Sequence, residues 1–91
     1  MEQERRLKFI EIIYTLYDKP ALINEQWEIV SPLLAELTAT SPEGFEGMVS
    51  MINTHFTNAV KFKDEKVQKF EIESGLIKLN TYFKKRNQLE C

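Results

Sequence analysis

The chain holds one histidine, His55, and one cysteine, Cys91. Nucleophilic catalysis needs a Ser or Cys with a base in reach, and acid–base work near neutral pH favours a histidine. At helical spacing the neighbours of His55 are Met51, Ile52, Asn58 and Ala59, none of them a strong metal ligand. That setting reads as an imidazole at the edge of a core, partly buried and hydrogen-bonded. A lone cysteine forms no intrachain disulfide and no Cys-based metal site. Gly44, Gly47 and Gly75 are scattered and follow no predicted strand, so no phosphate-cradling loop is present. Asp64, Glu65, Glu71 and Glu73 sit among lysines, as carboxylates of a solvated face do. The expectation is a protein with no catalytic residue, no metal and no cofactor. It is not an enzyme on this reading.

Charge is distributed more tellingly. From Pro20 to Val60 there is no Lys or Arg, while Glu25, Glu28, Glu36, Glu43 and Glu46 give the block a charge of −5. Residues 61–91 carry eight Lys and Arg against five acids, a charge of +3. Such a dipolar chain favours a partner with a basic surface, or head-to-tail contact with its own basic tail. The basic segment also suggests an alternative, contact with nucleic-acid phosphates through Lys78, Lys84, Lys85 and Arg86. Against that stand the interrupting acids, the net charge of −2 for the whole chain, and the lack of a helix-turn-helix signature.

The elements that must position these residues read as helices. Glu2 to Tyr17 is helical, with Glu2→Arg6 and Glu4→Lys8 in the favourable i,i+4 order. Its apolar residues cover roughly 220° at 100° per residue, where a stripe of a little over ~100° is usual. They resolve into two lines, Leu7-Ile10-Tyr14-Tyr17 and Phe9-Ile12-Leu16. Two seams suit a helix with both a core contact and an intermolecular one, so a homodimer through Phe9, Ile12 and Leu16 is expected. Asp18-Lys19-Pro20 ends the helix. A second runs from about Asn24 and is expected to kink or break at Pro32. Ser41-Pro42-Glu43 reads as cap, first-turn proline and first-turn acid of a third helix reaching about Val60. Its core stripe includes Ile52 and Phe56. The last third reads either as a helix from about Asp64, with Ile72, Leu76, Leu79 and Phe83 on one stripe, or as a hairpin turning at Ser74-Gly75.

Ninety-one residues, 43% of them apolar, suffice for one domain spanning 1–91 and leave no room for a second. Ten aromatics supply much of its core, and three Gly with three Pro are too few for a turn-rich β protein. No apolar run approaches the ~20 residues of a membrane span, and the charged start lacks a signal-peptide pattern. The fold expected is an all-α bundle of about four helices, with α+β and a C-terminal hairpin as the alternative. The function expected is stoichiometric protein–protein binding in the cytoplasm, as an inhibitor, immunity or adaptor factor. The alternative is a small nucleic-acid-associated regulator. A third reading is a small-ligand pocket between helices near His55 and Trp27.

Overall fold

The computed structural model describes residues 2–90, the Glu90 side chain excepted. Met1 and Cys91 lie outside the described residues. Four helices follow one another: α1 (Gln3–Asp18), α2 (Ile23–Thr40), α3 (Glu46–Lys61) and α4 (Glu65–Glu90), with a 3-10 turn at Pro20–Leu22. Among the described residues there is no strand, so the hairpin at Ser74-Gly75 does not form. The helices run up, down, up, down. Arg5 meets Glu36, Thr38 meets Asn53, Gln68 meets Ala59, and Arg6 meets Asn87. Helices α1 and α3 each pack on both α2 and α4, which leaves α2 and α4 on a diagonal of the bundle.

The core is apolar and aromatic. Phe9, Ile13 and Leu16 of α1, Val30 and Leu37 of α2, Ile52, Phe56 and Ala59 of α3, and Ile72, Leu79 and Tyr82 of α4 have no exposed surface. The Phe9 ring stands 6.5 Å from that of Phe56 and 6.3 Å from that of Phe83, the second pair edge-on, an arrangement aromatic quadrupoles favour. Ile52 and Phe56 are buried as the third-helix stripe predicts.

Gly75 lies within α4, against the Phe56 ring of α3. A Cβ built there would lie 2.8 Å from Cζ of Phe56, inside contact distance. The glycine therefore serves close helix–helix approach rather than backbone freedom. Helix α2 runs unbroken through Pro32, which is exposed. A proline forfeits one helical hydrogen bond, and here it does so on the solvent side, where the loss is cheapest.

Helix α3 begins at Glu46, not at Ser41-Pro42-Glu43. Gly44 takes a left-handed φ of 98°, which no right-handed helix passes through. Ser41 is instead drawn to the preceding helix. Its hydroxyl donates to Leu37 C=O at 2.6 Å and shares a hydrogen bond with the Tyr82 hydroxyl. Arg86 Nη1 completes this join, donating to the Tyr82 hydroxyl at 2.8 Å and to Thr40 C=O at 3.3 Å. At the other end of α4, Gln68 Nε2 donates to Ala59 C=O at 3.0 Å and satisfies a carbonyl of the last turn of α3.

Candidate interaction surfaces

His55 faces α4, where its Nδ1 lies 3.6 Å from Glu71 Oε2. Both atoms are shut off from water and have no hydrogen-bond partner. The imidazole thus serves the joint between α3 and α4, as a boundary residue does. The best-formed surface grooves are lined by neither His55 nor Trp27, so the pocket expected between them is not among these grooves. Among the described residues no three of His, Cys, Asp and Glu converge to hold a metal ion. No helix of the described residues is long and apolar enough to cross a membrane.

The His55–Glu71 pair makes a prediction about stability. The pair is a 3.6 Å contact of opposite polarity and not a hydrogen bond, so replacing one group removes that attraction from the other's buried atom, and His55→Leu and Glu71→Leu are each expected to cost about 1–3 kcal/mol. The double variant is expected to cost less than the two together, because it leaves neither group behind. Urea unfolding of the three variants measures this coupling, and additive losses would contradict it.

The first helix reverses the sequence expectation about its seams. Phe9 and Leu16 are fully buried, and Ile12 is half-buried against the core, so these residues are not a free surface for self-association. The line Phe9-Ile13-Leu16 turns inward, and Arg6 continues it. Arg6 donates to Asn87 Oδ1 at 2.5 Å and lies 5.9 Å from the Phe83 ring centre, which lets a cation close the end of an apolar seam. Of the other line only Leu7, at 61% exposure, and Tyr14, at 52%, face outward, while Ile10 and Tyr17 pack half-buried against the core.

The basic residues separate in the same way. Arg86 is buried and engaged with Tyr82 and Thr40, so it offers no contact to nucleic acid. Lys78 is half-buried beside Met48, Met51 and Thr81 in a small groove between α3 and α4. Lys84 and Lys85 are exposed, and with Lys66 they stand on the outward side of α4. On a helix of 3.6 residues per turn, Phe70, Ile77 and Lys84 form one outward line, seven residues apart. Phe70 is 64% and Ile77 58% exposed, and Leu89, at 63%, is a third large apolar side chain of the helix turned to solvent, near its C-terminal end. Among the described residues Glu73 is the only acid on this face, and it is exposed. Sequence reasoning took α4 as a single stripe and left Phe70 and Ile77 unassigned. Their signal was legible as apolar residues opposite the Ile72-Leu76-Leu79-Phe83 stripe.

The acidic residues fall into two groups. Glu25, Glu28 and Glu36 share the outward face of α2 with Ile29, Pro32, Ala35 and Ala39, and Arg5 of α1 pairs with Glu36 at 2.6 Å. Glu43 is exposed on the turn between α2 and α3, and Glu46 accepts the Gly44 N–H at 2.9 Å within that turn. The structure therefore brings together three of the five acids and places the other two past the C-terminal end of α2. Because α2 and α4 are diagonal, their outward faces point in opposite directions, one acidic and one basic.

A groove of about 470 Å³ separates α2 from α3. Thr38, Ser50, Asn53, Thr54 and Thr57 line it. Asn53 Nδ2 already donates to Thr38 Oγ1 and to Val49 C=O, each at 3.0 Å, so this amide is engaged across the groove. Comparison with protein-family models, with curated proteins and with solved structures finds no match for the chain.

Proposed function

We propose that this protein is a non-catalytic binding module that acts by stoichiometric protein–protein contact through the outward faces of α2 and α4. The observation that carries this reading is the exposed line Phe70-Ile77-Lys84. Two large apolar side chains, each more than half exposed, stand two helical turns apart on a helix whose opposite side already fills the core. Isolated exposed apolar residues are ordinary, but a line of them rimmed by lysines is the form of a contact surface. Leu7 and Tyr14 of the adjacent α1 are likewise exposed, and Leu7 lines a groove with Asn80, Phe83 and Lys84 of α4. The acidic face of α2 adds a second contact of opposite sign on the far side. A small bundle with two such faces suits an adaptor, with inhibitor or immunity-type binding as the other forms of the same activity.

The test is a double substitution on the surface. Phe70→Glu with Ile77→Glu is expected to lower affinity for the captured partner at least about tenfold, since truncated or charged anchors dominate such losses. Helicity and thermal midpoint should stay unchanged, because neither side chain enters the core. Capture from the source cell with wild-type and doubly substituted protein in parallel, followed by mass determination of the complex, reads both outcomes. Equal capture by both proteins would remove α4 from the mechanism. Mobility-shift titration with mixed DNA and RNA at low salt tests the alternative use of Lys66, Lys84 and Lys85. Tight, salt-sensitive binding there would assign the face to nucleic acid instead.

A further inference from the structure

We infer that the partner of the α4 face is the α2 face of a second copy of this chain, docked antiparallel and head to tail; this rests on the reading of α4 as a contact surface. The inference comes from sign, spacing and size taken together. On α4 the outward line is Phe70, Ile77 and Lys84. On α2 it is Glu25, Pro32 and Ala39, also seven residues apart and all exposed. Seven residues are two turns, about 10 Å of rise, so the two lines have the same repeat.

Laid antiparallel, the lines match chemically. Lys84 meets Glu25, Ile77 meets Pro32, and Phe70 meets Ala39. The large apolar side chains of one helix thus fall on the small residues of the other, which allows close approach of the two backbones. Lys85 comes within reach of the Glu25 and Glu28 end, and Lys66 falls past the last turn of α2, toward the turn that carries Glu43. Glu73 falls opposite Glu36, the one like-charged pair, and Glu36 is already paired with Arg5 at 2.6 Å. A parallel docking in the same register sets Phe70 on Glu25 and Lys84 on Ala39, and loses both kinds of match.

A symmetric dimer across α4 offers its lysines no row of carboxylates. With the helices parallel it sets Lys66, Lys84 and Lys85 against the same three lysines, and with them antiparallel about Ile77 it sets Lys84 on Phe70 and Lys85 on Lys69, so neither form matches charge with opposite charge. The head-to-tail contact sets Lys84 and Lys85 against carboxylates. It is heterologous, and because the two faces point opposite ways, each added copy leaves one face of each kind open. A contact made through one helix face of each copy is expected to be small beside the ~1,200 Å² of a stable interface, so association should be concentration-dependent and weaken with salt.

Sedimentation of the whole chain tests this. The wild type at high concentration and low salt should show a weight-average mass above the 10.7 kDa of one chain, falling toward that value as salt is raised. Glu25→Lys with Glu28→Lys, and separately Lys84→Glu with Lys85→Glu, should each lower the association constant at least about tenfold. The chain carrying all four reversals should recover it, since the charges again oppose one another. Circular dichroism on each variant confirms the fold, as all four positions are exposed. A wild type that stays at 10.7 kDa under low salt, or a fourfold variant that stays monomeric while the wild type associates, overturns the inference. Stronger association on Lys84→Glu with Lys85→Glu alone would point to the symmetric dimer and overturn it too. A monomeric wild type leaves the α4 surface to a different protein, which the Phe70→Glu with Ile77→Glu capture decides separately.

Discussion

Phe56→Ala is expected to unfold the protein or bring it to the edge of unfolding. The ring has no exposed surface, abuts Gly75 of α4 and stands 6.5 Å from the Phe9 ring, so three helices meet on it. Truncating a buried phenylalanine costs about 3–5 kcal/mol, from lost transfer free energy and from the cavity left behind. Domains of this size hold only about 5–10 kcal/mol in all. The loss should appear in urea unfolding as a midpoint shift of most of the transition, with an unchanged slope if the variant still folds. A shift of only a degree or two in thermal midpoint would mean that the α3 face is misplaced.

The converse substitution fills space that does not exist. Gly75→Leu puts a Cβ 2.8 Å from Cζ of Phe56 and further atoms beyond it, against a ring that cannot move into solvent. Overpacking costs about 1–3 kcal/mol and at times more, while replacing a mid-helix glycine gains no more than about 1 kcal/mol of helix propensity. Strain should win, and Gly75→Leu should destabilise. In the Phe56→Ala background the same side chain enters the vacated volume, so the double variant should be more stable than Phe56→Ala alone. Additive losses would show that the two residues do not share one space.

Much of this fold is written in residue order. The stripes Val49-Ile52-Phe56 and Ile72-Leu76-Leu79-Phe83 are helical in period and are buried as such. Other features depend on what lies across the bundle. Ser41-Pro42-Glu43 has every local mark of a helix start, yet Ser41 is held by Leu37 and by Tyr82, 41 residues away, and Gly44 turns the chain left-handed. Gly75 reads as an irregular point in a helix or as part of a hairpin turn until the Phe56 ring is seen where its side chain would be. Of the two α1 seams, neither periodicity nor composition says which faces inward. Arg6 decides it by reaching Phe83 and Asn87 on α4.

The surfaces were legible by sign and not by place. The run from Pro20 to Val60 without a Lys or Arg marks an acidic region, and the fold keeps Glu25, Glu28 and Glu36 of it on one helix face. Arg86 is indistinguishable from Lys84 and Lys85 in sequence, but its helical position turns it inward, where it joins α4 to the end of α2. Phe70 and Ile77 carried the informative signal. They are apolar residues out of phase with the core stripe of their own helix.

Site-specific photo-cross-linking tests most directly whether the molecule works as a two-faced binding module. A photoreactive residue is placed in turn at Phe70 and Ile77 on α4, at Glu28 on α2, and at Ser50 in the α2–α3 groove, and the protein is irradiated in lysate of its source cell. Positions 70, 77 and 28 should each give a discrete adduct with one added protein chain, and position 50 should give none. Adducts from position 50 alone, or none from any position, would contradict the account.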